Sequence, residues 1–277
     1  MKIKIHKPKN KILQNCIECF YTLQRNDNEE NVTYFGFPSN TIFVTLCQDA
    51  EVIINDNELT IENYPNEKIK SILIIDNQKQ GATTYRGKTN EISIYFKPLG
   101  INAFLEKPFS SYITGTISEF NPFEDYERAM NEAFKIKDDT QKIEFIENYL
   151  FTKIKEFRHP FLHQAIESIK STNGQKLNIT EIAKKNAISR TTFNKQFLLH
   201  IGTTPSQFTK IERFRNAIKM FTKNATKDQL IDIVYLADYF DQSHMAKDFK
   251  SLTGYSPKIF FSKLSQIENN QINWIFL

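Results

Sequence analysis

Thr192-Phe193-Asn194-Lys195-Gln196-Phe197-Leu198-Leu199-His200-Ile201-Gly202-Thr203-Thr204-Pro205-Ser206-Gln207-Phe208 is answered 52 residues later by His244-Met245-Ala246-Lys247-Asp248-Phe249-Lys250-Ser251-Leu252-Thr253-Gly254-Tyr255-Ser256-Pro257-Lys258-Ile259-Phe260. In one frame Lys195/Lys247, Phe197/Phe249, Gly202/Gly254, Thr204/Ser256, Pro205/Pro257 and Phe208/Phe260 recur. Each recurrence has a physical reason. Phe193/Phe197 and Met245/Phe249 stand four residues apart, which puts two apolar groups on one face of a helix. Gly202 and Gly254 follow the last turn, where a left-handed residue closes a helix without a Cβ penalty. Thr204-Pro205 and Ser256-Pro257 supply an N-cap and a proline at the first helical position, so a new helix begins there.

A second short helix precedes each copy. Thr180–Ala187 lies ahead of the first and Ile231–Asp238 ahead of the second, with Ile182-Ala183 echoed by Ile233-Val234. A short apolar helix, a tight turn and a second amphipathic helix make a helix-turn-helix motif. A purely structural helical repeat is the alternative, but solenoids need three or more copies and this chain has two. The first recognition helix is expected from about Arg190 to His200, capped by Ser189, and the second from about Gln242 to Ser251. With the aromatic and methionine side chains inward, Arg190, Thr191, Asn194 and Lys195 remain on the outer side of the first. Gln242, Ser243, His244, Ala246 and Lys247 remain on that of the second. Arg and Lys suit guanine edges, Asn and Gln suit adenine, and Ser and Thr serve bases or phosphates. A connecting helix from about Pro205 to Phe221, roughly 25 Å long, would hold the two readers about one DNA turn apart on one face of a duplex. On it, Arg213, Arg215 and Lys219 are candidates for phosphate contacts.

The segment from about Ile179 to Phe261 resembles the DNA-binding domain of the AraC/XylS family of bacterial transcriptional regulators. The residues that carry the resemblance are Tyr239-Phe240-Asp241-Gln242-Ser243-His244, then Phe249-Lys250, then Gly254-Tyr255-Ser256-Pro257. It implies that Asn194, Lys195, Gln242 and Lys247 fall where the family contacts DNA. Where the family places glycine in each turn, this chain has Ala187 and Asp238, and Asn186 offers an alternative left-handed residue. Ile94-Tyr95-Phe96-Lys97-Pro98-Leu99-Gly100 is similar to a Phe-x-Pro-x-Gly stretch of one subgroup, which implies a β-rich sensor domain ahead of the DNA-binding part.

That part is independently legible as β. Short runs rich in β-branched and aromatic residues, among them Thr41–Leu46, Glu51–Ile54, Ser71–Ile75 and Glu91–Phe96, are separated by turn formers such as Asp56-Asn57 and Asp76-Asn77. From about Pro122 to Phe157 the pattern becomes helical, with Ile143, Ile146, Leu150 and Ile154 in one stripe. The stripe is expected to pack on the β-domain, with a dimer seam as the alternative.

Charge divides at the same place. Met1–Phe157 holds 19 Lys and Arg against 23 Asp and Glu, whereas Arg158–Leu277 holds 17 against 9, so a basic C-terminal part is poised for a polyanion. Hydrophobic residues make up 40% and charged residues 25% of 277, as in soluble globular proteins. No run approaches the roughly 18 apolar residues of a membrane span, so no membrane partner and a cytoplasmic location are expected. His6 is the only histidine before residue 159, and Cys16, Cys19 and Cys47 make an odd set without a fourth ligand. Neither a metal site nor a disulfide framework is indicated, with a redox switch at the thiols as the alternative, and no cofactor or catalytic motif stands out.

The expected architecture is α+β. Residues 1–157 form a β-rich sandwich or barrel with flanking helices, serving as a sensor or dimerisation domain. Residues 158–277 form an all-α domain with two helix-turn-helix motifs joined by a long helix. The expected function is sequence-specific DNA binding in transcription, not catalysis. The expected partners are double-stranded promoter DNA, RNA polymerase, a small-molecule effector and a second copy of the chain. Two alternatives remain: a regulator without a ligand, favoured by a filled β-domain, and an enzyme-like β-domain fused to a targeting module, favoured by a cavity lined with convergent His or carboxylates.

Overall fold

A computed structural model describes residues 1–55, 58–66, 68–75, 81–171, 179–223, 237, 239–263, 265–266 and 273–276. Strands β1 (Lys2–His6), β2 (Ile17–Arg25), β3 (Val32–Gly36), β4 (Ile42–Gln48), β5 (Ala50–Asn55), β6 (Glu58–Asn63), β7 (Ile69–Ile75), β8 (Gly81–Arg86), β9 (Thr89–Phe96) and β10 (Ile117–Glu119) build the N-terminal part. Helices α1 (Tyr126–Lys135) and α2 (Asp139–Lys153) follow them. The expected turns at Asp56-Asn57 and Asp76-Asn77 lie outside the described residues. Strands β1-β2-β9-β4-β7-β10 form one sheet. The second contains β3-β8-β6-β5, extended beyond β3 by β11 (Ser265–Gln266) and β12 (Asn273–Phe276) from the far end of the chain. β12 runs antiparallel to β3, with Ile275 opposite Phe35.

The period of two along a strand sorts the side chains of the first sheet onto two faces. Ile42, Val44 and Leu46 of β4, Leu73 and Ile75 of β7, and Ile92, Ile94 and Phe96 of β9 point one way. There they meet Met130 and Phe134 of α1 and Ile143, Ile146 and Leu150 of α2. The stripe on α2 therefore packs on the β-rich part, with Ile154 partly buried at its end. The opposite face presents Tyr21, Leu23, Cys47 and Ile72 to Tyr34, Leu59, Ile61 and Tyr85 of the second sheet. A sheet covered on both faces explains why Ser71–Ile75 reads as a nearly unbroken apolar run.

The helical part contains α3 (Leu162–Ser171), α4 (Ile179–Lys185), α5 (Arg190–Ile201), α6 (Pro205–Lys223), α7 (Gln242–Thr253) and α8 (Pro257–Lys263). One core gathers Leu162, Ile166 and Ile169 of α3 with Phe193, Phe197, Ile201 and Phe208. A second gathers Ile211, Phe214 and Ile218 of α6 with Met245, Phe249, Leu252 and Phe260, and takes in Phe37 from the β-rich part. The two repeated phenylalanines, Phe197 and Phe249, thus center two separate cores strung along α6. Among the described residues no helix is long and apolar enough to cross a membrane.

Candidate nucleic-acid interface and internal cavity

The caps that delimit the two reading helices are in place. Ser189 Oγ accepts from the backbone N–H of Thr192 at 3.0 Å, opening α5, and Asp241 Oδ1 accepts from that of His244 at 2.6 Å, opening α7. Gly202 and Gly254 close them at φ of 78° and 77°, each donating its N–H to the carbonyl four residues back. Thr204 then caps α6, its hydroxyl accepting from Gln207 N–H at 3.2 Å. The turn inside the first motif is made by Ala187 itself, at φ of 52°. Its N–H reaches Lys184 O at 3.1 Å and that of Ile188 reaches Ala183 O at 3.0 Å, a Schellman closure with alanine where glycine is favoured. Asn186, the alternative for that position, instead donates from Nδ2 to Ile182 O at 2.8 Å. Asp238 and the helix expected at Ile231–Asp238 lie outside the described residues, apart from Ala237.

Seven of the eight sequence candidates are exposed: Arg190, Thr191, Asn194 and Lys195 on α5, and Gln242, Ser243 and Lys247 on α7. His244 is half-buried. Its ring stands edge-on to Tyr239 at 5.3 Å, and its Nε2 lies 3.7 Å from Asp248 Oδ2. Asp248, buried, also receives Arg213 Nη2 at 3.2 Å, so Arg213 ties α6 to α7. Of the other two cations considered for phosphate contacts, Lys219 is exposed and Arg215 turns to the lining of an internal cavity. Phe240, 88% exposed beside the first turn of α7, carries part of the sequence resemblance but was not among the DNA-contact candidates. A fully exposed aromatic ring there is suited to a thymine methyl or a sugar face.

Residues 182–263 match the family model of a helix-turn-helix domain. This segment is a helix-turn-helix domain. Among solved structures, the chain is similar to ToxT from Vibrio cholerae in a P21 crystal form, at 13% identity and a TM-score of 0.46, covering 88% of this chain and 98% of that one. It is also similar to an unsaturated-fatty-acid-bound ToxT from Vibrio cholerae strain SCE256, at 12% identity and a TM-score of 0.43, covering 86% and 96%. No curated protein matches the chain.

Among the described residues, several contacts fasten the helix-turn-helix domain to the β-rich part. Asn102 Nδ2 donates to His200 O at 2.9 Å, and Asn102 Oδ1 lies 3.2 Å from His200 Nδ1. A Cβ on Gly202 would come within 2.9 Å of the Phe109 ring, so the end of α5 needs glycine for close approach as well as for its φ. Asn40 Nδ2 donates to Phe208 O and to Glu212 Oε1, both at 2.8 Å, while Phe37 meets Phe260 edge to face at 4.7 Å.

Between the two sheets lies a cavity of about 310 Å³. Its wall is mainly apolar and aromatic, with Tyr21, Phe37, Phe43, Ile74, Tyr85 and Tyr95 among the residues present. Two features stand out. Glu91, 3% exposed, receives Tyr85 Oη at 2.9 Å and Ser93 Oγ at 3.0 Å. Burial pushes its carboxyl up to about 7, against the pull of those two hydroxyls. Arg215 comes from α6, so the cavity wall includes the helix that joins α5 to the second half of the helical part. Cys19 is also on the wall, and burial pushes its thiol up to about 11. Cys16 and Cys47 are raised by the same cause, so none of the three is activated as a thiolate. Among the described residues no group of three or more His, Cys, Asp or Glu side chains is placed to hold a metal ion.

Proposed function

We propose that this protein is a transcriptional regulator that binds promoter DNA sequence-specifically through α5 and α7 and is controlled by a small-molecule effector held between the sheets of its β-rich part. The domain boundary falls at residues 157/158. Arg190, Thr191, Asn194 and Lys195 serve the first half of the DNA site, and Gln242, Ser243, His244 and Lys247 the second. The observation that carries the effector reading is Arg215: one helix, α6, both lines the cavity and joins the two reading helices. A β-domain filled by its own side chains would have favoured a regulator without a ligand. Partners in this reading are double-stranded DNA, RNA polymerase at the promoter and a second copy of the chain. The inward stripe of α2 is used in the β-rich core, so a dimer would use another face.

Selection of random duplexes by the purified protein at about 150 mM salt, followed by sequencing, tests the DNA reading. Two enriched motifs about one helical turn apart are expected. Asn194→Ala and Gln242→Ala should each cost about 1–3 kcal/mol at one motif while leaving binding to unrelated DNA unchanged. Variants that bind every sequence as the parent does would overturn the assignment of those helices.

A further inference from the structure

Glu91 is an anomaly in the wall of the cavity. A carboxylate taken out of water costs several kcal/mol unless a cation or a full set of donors meets it. Ionised, it offers about four lone-pair positions. The hydroxyls of Tyr85 and Ser93 engage its two oxygens, and Ser93 is itself 2.8 Å from Thr45 Oγ1. Among the described residues no cation is paired with Glu91. It therefore keeps acceptor capacity where the cavity begins. The rest of the wall suits an organic cation. Phe43 stacks on Tyr95 at 4.8 Å between ring centers, and Tyr21 stands edge-on to Tyr95 at 6.4 Å. Electron-rich ring faces of this kind attract ammonium groups. A volume of about 310 Å³ lies at the lower end of the range for one small ligand.

We propose that the cavity binds an amphipathic organic amine, its protonated nitrogen on the Glu91 carboxylate and its apolar body against Phe37, Phe43, Ile74 and Tyr95. The inference rests on the reading of this cavity as the effector site and names the chemical class of the effector. Glu18, exposed and paired with Lys7 Nζ at 2.8 Å, and the Arg215 guanidinium are the other charged side chains of the wall. The titratable groups around Glu91 are Tyr21 on β2, Cys47 on β4 and Tyr85 on β8, each held neutral by burial. Glu91 alone therefore exchanges a proton on binding. The ammonium arrives with its own proton, Glu91 gives up its proton to solvent, and the ion pair forms.

Calorimetric titration of the full chain with phenylbutylamine, phenylbutanol and phenylbutyrate compares three head groups on one body. The amine is expected to bind at least about tenfold tighter than the alcohol. It should release close to one proton at pH 6, read from buffers of different ionisation enthalpy. Glu91→Gln should abolish both the preference and the proton release. Glu91→Asp, which draws the carboxylate back by one methylene, should weaken the amine while leaving the alcohol unchanged. Carboxylate or alcohol binding as tight as the amine, or no amine binding at all, would overturn the proposal. DNA affinity measured with each ligand separates the two readings. An amine that binds without changing DNA affinity defeats effector control and keeps the ligand class, whereas phenylbutyrate binding that changes DNA affinity does the reverse.

Discussion

Replacing Glu91 by glutamine should reverse its effect on stability between low and high pH. The native carboxyl is raised from 4.5 to about 7 by burial, so the sign follows from proton linkage. At pH 4 both folded and unfolded chains hold the proton and no penalty exists. As pH rises from 4.5 to about 7, the unfolded chain ionises while the folded one holds its proton, and the folded state loses about 3 kcal/mol, at 1.36 kcal/mol for each of roughly 2.5 units, with no further loss above 7. Glutamine has the same shape but never ionises. It converts one oxygen into a donor, so either Tyr85 or Ser93 must turn its hydroxyl, at a cost of about 1 kcal/mol at every pH. The variant should therefore be slightly less stable than the parent at pH 5 and more stable by about 2 kcal/mol at pH 9. Urea unfolding followed by circular dichroism at unit pH steps reads the difference directly. A gap between the two proteins that stays constant from pH 5 to pH 9 would refute the reasoning, because it would mean that Glu91 titrates alike in both states.

Two other perturbations test the helical part. Ala187→Gly relieves a left-handed alanine and should stabilise the first motif by about 1 kcal/mol, read as a higher urea midpoint of the full chain; a lower midpoint would contradict the turn geometry. At the joint, His159 and His200 lie 5.2 Å apart, and burial holds both below the usual histidine value of 6.5, each further lowered by a neighbouring histidine. His163, with its ring 5.9 Å from Phe157, is the third titratable group there. A depressed histidine contributes stability that is present above 6.5 and lost as pH falls through the lowered value. Protection against hydrogen exchange at Asn102 and around Gly202, with the intrinsic pH dependence of exchange divided out, should therefore fall below pH 6.5, and His200→Gln should flatten that dependence. Protection factors in the parent that do not change with pH would show that the joint is not titrating.

The C-terminal helices were legible because their signals are local. A serine or threonine ahead of proline, a glycine after the last turn and two apolar groups four residues apart depend only on neighbours within one turn of helix. The same cues recur at Gly202 and Gly254, and both take the left-handed conformation that the repeat requires. The β-rich class was legible for a similar reason. Glu91, by contrast, reads in the sequence as the polar start of an ordinary strand. Its burial depends on which face of β9 meets the second sheet, and a shift of one residue would exchange it with Ile92. Arg215 was misread as a surface cation for a related reason: helical period places a residue on a face, but only tertiary packing decides what that face meets. Asp248 shows the converse, since the buried clasp with Arg213 is formed by residues on two helices that no short-range pattern connects.

These placements bear on how a ligand could act at a distance. An effector changes DNA binding only by as much as it distinguishes two arrangements of the readers. The chain from Gly36 to Thr41 offers a direct route for such discrimination. Gly36, Phe37, Ser39 and Thr41 line the cavity, Phe37 packs in the core of the second motif, and Asn40 holds the start of α6. A ligand body that displaces Phe37 cannot be accommodated by the cavity alone, because the same ring is wedged 4.7 Å from Phe260. Close-packed cores yield in discrete steps rather than by gradual deformation. The first motif is held separately, through Asn102 and Phe109 against the end of α5. Filling the cavity would thus shift the second reader relative to a first reader that stays anchored, and the spacing between the two half-sites is the quantity that the effector would control.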